Sequence, residues 1–202
     1  MLYSLIEKLR RLLYKTKRRT GLIDIEKLVS HSPLRLNLGC GSEHMNGWVN
    51  IDVSANTVAD FLMDFKELKN IFKPASVDEI MMIHSISYLR LWEAQDLFGD
   101  VYSLLKFGGK YILEFPDIVK CSAHLLKHEN NIEEYLEGVR GIYAFGIHQI
   151  ARKENFYTYA FGWSSWHIKH ELLHAGFVSV EIRDPETHNQ LLWRDTRIEA
   201  IK

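Results

Sequence analysis

The hydrophobic positions of this chain fall into short runs separated by polar or glycine-containing turns. Leu34–Leu38 and Trp48–Ile51 are runs of strand length, and Val58–Met63, ending at Asp64, is a third. The run VDEIMMIH, Val77–His84, is apolar enough for a buried strand. Residues 93–106 put Leu97, Val101, Leu104 and Leu105 on one helical face; Phe107-Gly108-Gly109 closes that helix and Lys110–Phe115 follows as a strand. A helix over 165–175, a strand Phe177–Asp184 and a last strand Arg197–Ile201 complete the pattern. Helices punctuated by glycine and followed by strands predict an α/β fold, with a parallel sheet covered by helices.

Two segments depart from this rhythm. Near the start, Leu2, Leu5, Ile6, Leu9, Leu12 and Leu13 recur at helical spacing, with Lys and Arg on the other side. This predicts a basic amphipathic helix and connector over 1–30, followed by one domain over 31–202. The helix suits an anionic membrane surface, a partner, or its own domain. Residues 116–164 are too long for a plain connector and predict an insertion or lid on the acceptor side. Residues 135–166 hold nine aromatics, among them Tyr135, Tyr143, Phe145, Tyr159, Phe161, Trp163 and Trp166. These rings either cover a flat acceptor or build the lid's own core.

Composition adds limits. The chain has 202 residues, is 47% hydrophobic and 25% charged, and carries a net charge of −1, so the whole molecule is no polyanion binder. Residues 1–20 hold seven Lys/Arg and one Glu, which leaves a mildly acidic body. In the aromatic segment only Arg140, Arg152 and Lys153 are basic, too few to interleave with stacked bases, so no nucleic acid is expected. The two cysteines, Cys40 and Cys121, have no metal or redox spacing and read as free thiols in a reducing, cytoplasmic setting. No secretory signal and no apolar run of membrane-spanning length is evident.

The chemistry concentrates at LNLGCGS. Gly39 and Gly41 follow a strand, where bare backbone lets a ligand approach and where open α/β sheets bind. The dinucleotide fingerprint is absent: His44 stands at its third glycine, and Asp52 comes only 11 residues after Gly41. A P-loop lysine is also absent. Asp52 closes the second strand, where a carboxylate accepts from the vicinal hydroxyls of a ribose. Asp64 closes the third, where it accepts from an adenine amino group beneath Phe65 or Met63. A single aspartate at either place also fits a turn or helix cap.

Taken in order, LNLGCGS, GWVNID, ADFLMDF, VDEIMMIH, LKFGGKYILEFPD and LLHAGF resemble the class I S-adenosylmethionine-dependent methyltransferases, and more narrowly the compact ones of sugar and surface-polysaccharide modification. The resemblance implies a Rossmann-like sheet of seven strands with a final antiparallel strand and helices on both faces. It implies S-adenosyl-L-methionine as cofactor, contacted by Asn37, Gly39, Cys40, Gly41, Asp52, Val53, Asp64, Phe65 and His84. Asn37 stands where many relatives carry an acid, and Ser87-Tyr88 where many carry Glu-His. The link from Leu38 to Trp48 is too short for a crossover helix.

Methyl transfer to a hydroxyl needs alignment and a proton acceptor. His84, at the end of the fourth strand, is the first candidate, with Tyr88 and His148 behind it; a structural histidine is the competing reading. HELLH, His170 to His174, matches the zinc-peptidase pattern H-E-x-x-H. Yet Ile168, Leu172 and Leu173 supply the apolar face, which turns both histidines to the polar side, so no metal is assigned. His124 and His128 stand four apart with no third ligand evident. The resulting expectation is O-methylation of a small or glycan-linked hydroxyl, with peripheral membrane contact through residues 1–20 at the inner membrane face. A catalytically silent cofactor-binding subunit, and a methyltransferase acting on protein or nucleic acid, are the alternatives.

Overall fold

The structure, a computed structural model, describes residues 29–54, 57–144, 158–187 and 191–202. The basic segment 1–20 and His148 lie outside the described residues. One sheet of seven strands has the order β3-β2-β1-β4-β5-β7-β6. β1 (Arg35–Leu38), β2 (Val49–Asp52), β3 (Phe61–Leu62), β4 (Val77–Ile83) and β5 (Leu105–Pro116) are parallel; β7 (Asp195–Ile201) runs antiparallel between β5 and β6 (Ser179–Arg183). The helices described are α1 (Leu68–Ile71), α2 (Leu91–Leu104), α3 (Ile118–Lys127), α4 (Ile132–Tyr143) and α5 (Ser165–Ala175). Strand order reverses between β1 and β4, which opens a crevice at their carboxyl ends.

Alternation along the strands makes the two sheet faces chemically different. Leu36, Leu38, Ile51, Ile80, Met82, Leu113, Phe115, Ile198 and Ala200 share one core with Leu97, Phe98 and Val101 of α2 and Ile168 and Leu172 of α5. Phe98 meets Tyr111 and Trp163 edge-on at 6.3 and 5.9 Å. Each such side chain stabilises the fold by about 1.5–3 kcal/mol on burial. The opposite face carries ion pairs: Arg35–Glu79, Lys110–Glu199 and the buried Glu114–Arg197–Glu199 set. Helices α3 and α4 follow the carboxyl end of β5 and pack on each other. The buried Asp117 caps two helices at once. Its Oδ1 accepts from Val119 N–H at the start of α3 (2.9 Å), and its Oδ2 from Ser165 N–H at the start of α5 (3.0 Å).

Several element bounds differ from the sequence pattern for visible reasons. β3 has two residues rather than six: Val58 N–H is drawn to the Gly41 carbonyl, and the Asp60 side chain holds Asn50. The first long helix stops at Leu104, before the glycines. Leu105 is already extended beside Val77, and residues 106–109 form a bulge before pairing resumes at Glu79 and Lys110. Gly108, at φ +74°, serves that bulge and not a helix cap. β4 ends at Ile83 because His84 turns to φ +55°. β7 starts two residues early, at Asp195. Helix α5 has the expected bounds, but Leu173 is 46% exposed and lies off the buried stripe.

Glu114 is fully buried and satisfied by Arg197 (2.8 Å) and by the N–H groups of Glu186 and Thr187. Arg197→Met should destabilise the protein by about 3–5 kcal/mol, because it strands a buried carboxylate. Glu114→Gln in the same background should restore part of that loss in urea unfolding.

Candidate functional site

The glycine turn is built by backbone geometry. After Leu38 the chain folds over the end of β2, and the N–H groups of Gly39 and Cys40 donate to the Ile51 carbonyl at 2.8 and 3.2 Å. Gly39 has φ +72°, and a Cβ there would lie 2.5 Å from the Cβ of Ser85, so neither conformation nor space admits a side chain. Gly41 also has a positive φ, +54°, but a Cβ there would meet none of the described residues within 4 Å. Its backbone therefore faces open space, with room for a ligand.

Asp52 fastens this turn. Its Oδ2 accepts from Gly41 N–H at 3.0 Å and its Oδ1 from Ser54 N–H at 2.8 Å. A carboxylate keeps further lone pairs after two such bonds. Cys40 is buried, and its thiol is pushed up to about 11 by that burial and then by Asp52 and Asp60. It stays a neutral thiol and is no nucleophile. Val53 is exposed. Phe65 lies against the turn, with its Cζ 3.5 Å from where a Cβ on Gly39 would stand. Asp64 is exposed, and its Oδ1 accepts from Lys66 N–H (3.1 Å) as a cap.

Asn37 is buried beneath the loop joining β1 to β2. Its Nδ2 donates to Asn50 Oδ1 at 3.0 Å and to the Glu43 carbonyl at 3.4 Å. Asn50 in turn binds Met45, Trp48 and Asp60. Asp60, which sequence reasoning passed over, also meets His44 at 3.1 Å. Burial works against its charge, but the Asn50 and His44 bonds outweigh it and hold the carboxyl below the usual aspartate range.

Across the crevice, His84 meets Asp195 at 3.0 Å through Nε2. Asp195 is fully buried and also receives Nε and Nη2 of Arg194, each at 2.7 Å. Burial raises a carboxyl, yet the bonds from His84 and Arg194 prevail and keep Asp195 below the ordinary range. The positive φ of His84 is uncommon for a non-glycine residue and is the kind of strain that accompanies functional positions. Tyr88 packs edge-on to Tyr159 with centroids 5.1 Å apart. The Tyr159 hydroxyl is pushed up by burial and by Tyr88, so it stays protonated. Ser87 is buried, and its carbonyl accepts from the N–H groups of Ala160 and Phe161.

The site therefore joins Gly39, Cys40, Gly41, Asp52 and Phe65 on one side of the β1/β4 crevice to His84 and Tyr88 on the other. Sequence reasoning missed Asp195 and Arg194. The sequence held little signal for them: Asp195, Thr196 and Arg197 are three polar residues in a row, so alternation starts only at Arg197 although the strand begins at Asp195. Elsewhere, His170 and His174 are exposed, and Glu171 turns to His167 (3.4 Å) and Gln95 (3.1 Å). Trp163 belongs to the main core.

No protein-family model matches the chain, and no curated protein does. Solved structures do. A SAM-dependent methyltransferase from Archaeoglobus fulgidus is 16% identical with a TM-score of 0.53, covering 100% of both chains. A SAM-dependent methyltransferase from Thermotoga maritima, described as a possible histamine N-methyltransferase, is 13% identical at a TM-score of 0.52, with 99% of each chain covered. An S-adenosylmethionine-dependent methyltransferase from Mesorhizobium loti is 11% identical at 0.53, over 90% of this chain and 97% of that one. At these identities the likeness is one of fold: the chain has the Rossmann-like fold of these methyltransferases.

Because the folded pKa of Asp195 lies below its unfolded value of about 3.9, its pairing contributes stability that is present in full above that value. The contribution is lost as pH falls through the lower folded value. Urea unfolding from about pH 6 to about pH 3 should show a shallower loss below about pH 4 in Asp195→Asn than in the parent. Parallel curves would show that the pairing carries no such linkage.

Proposed function

We propose that this protein is an S-adenosylmethionine-dependent methyltransferase acting on a hydroxyl of a small or glycan-linked acceptor. The observation that carries the reading is the Asp52-fastened glycine turn facing the His84–Asp195 pair across the β1/β4 crevice. The residues present suit the cofactor. Gly41 offers bare backbone to open space, the Asp52 carboxylate retains lone pairs for ribose hydroxyls, and Phe65 supplies an apolar wall. When bound, the cofactor supplies an electrophilic methyl group on a sulfonium.

The remaining work falls to the chain. An ionised carboxylate only accepts, so Asp195 orients the His84 ring through Nε2. His84 serves as the general base for the acceptor's hydroxyl, and Asp195 stabilises the imidazolium that results. Tyr88 and Tyr159 form an aromatic wall on that side, suited to a sugar face. The basic apolar stripe of residues 1–20 supports contact with an anionic lipid surface, where a lipid-linked glycan would be at hand.

Calorimetry with S-adenosylhomocysteine tests the cofactor side. Asp52→Ala should weaken binding by about 1.5–3 kcal/mol, the range for hydrogen bonds to a charged group. A parent chain that does not bind would end the proposal. For the acceptor side, His84→Asn is the informative change, since asparagine tolerates a positive φ. It should still bind S-adenosylhomocysteine while lowering kcat by about 10²–10⁴-fold on a glycan or small hydroxyl acceptor. Full activity in that variant would remove His84 from the chemistry.

A further inference from the structure

We propose that His124, His128 and Glu134 form a binding site for a divalent transition-metal ion, zinc(II) or its chemical neighbours, at the junction of α3 and α4. The ion-binding chemistry is independent of the methyltransferase reading. His124, in the last turn of α3, and His128, the residue that caps it, stand four apart, and their rings lie with centroids 4.5 Å apart. The third group, absent from the linear pattern, comes from the next helix. Asn131 caps α4 by accepting from the N–H groups of Glu133 and Glu134, which fixes Glu134 in the first turn, against α3. One ligand atom from each of the three residues lies within 4.8 Å of the other two.

A second observation points the same way. Among the described residues, His124 Nε2 is buried and makes no hydrogen bond, although Glu134 Oε2 stands 3.2 Å from it, within ion-pair reach but not aligned as an acceptor. A buried polar nitrogen with no aligned hydrogen bond is costly. A metal ion would use its lone pair. The His124 ring is already oriented, because it stacks on Trp193 with centroids 3.9 Å apart at 26°. The Glu134 side chain is 47% exposed, so an ion and a completing water have a path from solvent.

The donor set selects the ion. Two imidazoles and one carboxylate suit zinc, cobalt, nickel or copper, while magnesium and calcium prefer oxygen alone. Ligand atoms on a tetrahedral zinc with bonds of about 2.0–2.1 Å lie about 3.3–3.4 Å apart. Glu134 and His124 already stand at that spacing, 3.2 Å apart, and binding draws the remaining contacts of the trio, all within 4.8 Å, onto the ion. The bound ion would tie α3 to α4 and, through Trp193, brace the segment that carries Arg194 and Asp195.

The test uses tag-free full-length protein, stripped with EDTA and titrated with zinc chloride. One saturable equivalent should bind, and the melting temperature should rise with it. Cobalt(II) in place of zinc should give visible d–d absorption of a low-symmetry site. His128→Ala and Glu134→Gln, which spare the Trp193 stack, should each weaken zinc binding at least about tenfold, in keeping with the loss of a ligand. The double variant His170→Ala/His174→Ala should bind as the parent does. Absence of saturable binding, or zinc retained at full affinity in both single variants, would overturn the proposal. Zinc lost in the His170/His174 variant would overturn it in favour of HELLH.

Discussion

A carboxylate buried without donors is not tolerated, and Asp195 shows how much of a fold can be arranged to meet that demand. Its two oxygens take three bonds, one from His84 at the end of β4 and two from the adjoining Arg194. Lys120 of α3 grips its carbonyl at 2.7 Å. The end of a parallel strand, the start of the antiparallel strand and the first helix after β5 thus meet at one residue. Remove the charge and the two strand ends lose their common reference. The orientation of the His84 ring follows from this requirement, not from the local sequence around it.

Asp52 does the equivalent work across the crevice. In the sequence, a ribose acceptor and a turn cap compete as readings of one aspartate. In the fold the two roles are compatible, because the backbone bonds to Gly41 and Ser54 use only part of the carboxylate's capacity. The same economy appears at Asp117, whose two oxygens start two helices.

The parallel strands were legible because apolar alternation and glycine punctuation are local signals, whereas the strand order, with its reversal between β1 and β4, was not read from them. Gly39 was legible for the same reason, although its second constraint, the approach of Ser85, was not. What escaped was long-range or set by competing bonds. Val58 looks like a strand residue, but its N–H is spent on Gly41. Phe107-Gly108-Gly109 looks like a helix stop, but Leu105 has already left the helix. Glu134 could not be joined to His124 and His128 by spacing, because a helix cap at Asn131 brings it round. Asp195 fell outside the visible pattern because the strand opens on three polar residues, Asp195, Thr196 and Arg197, before its alternation starts.

The antiparallel course of β7 has a consequence for the order in which the molecule becomes competent. Since β7 runs against its neighbours, its first residue, not its last, reaches the edge where β1 and β4 end. His84 is therefore joined to a partner 111 positions later in the chain. The turn at Gly39 closes over short separations, while the His84 pairing must wait for a long loop to close against its entropy. On a ribosome, the half of the crevice around Asp52 takes shape while β7 is still untranslated. A nascent chain would pass through a stage in which the glycine turn is closed yet the imidazole is not oriented.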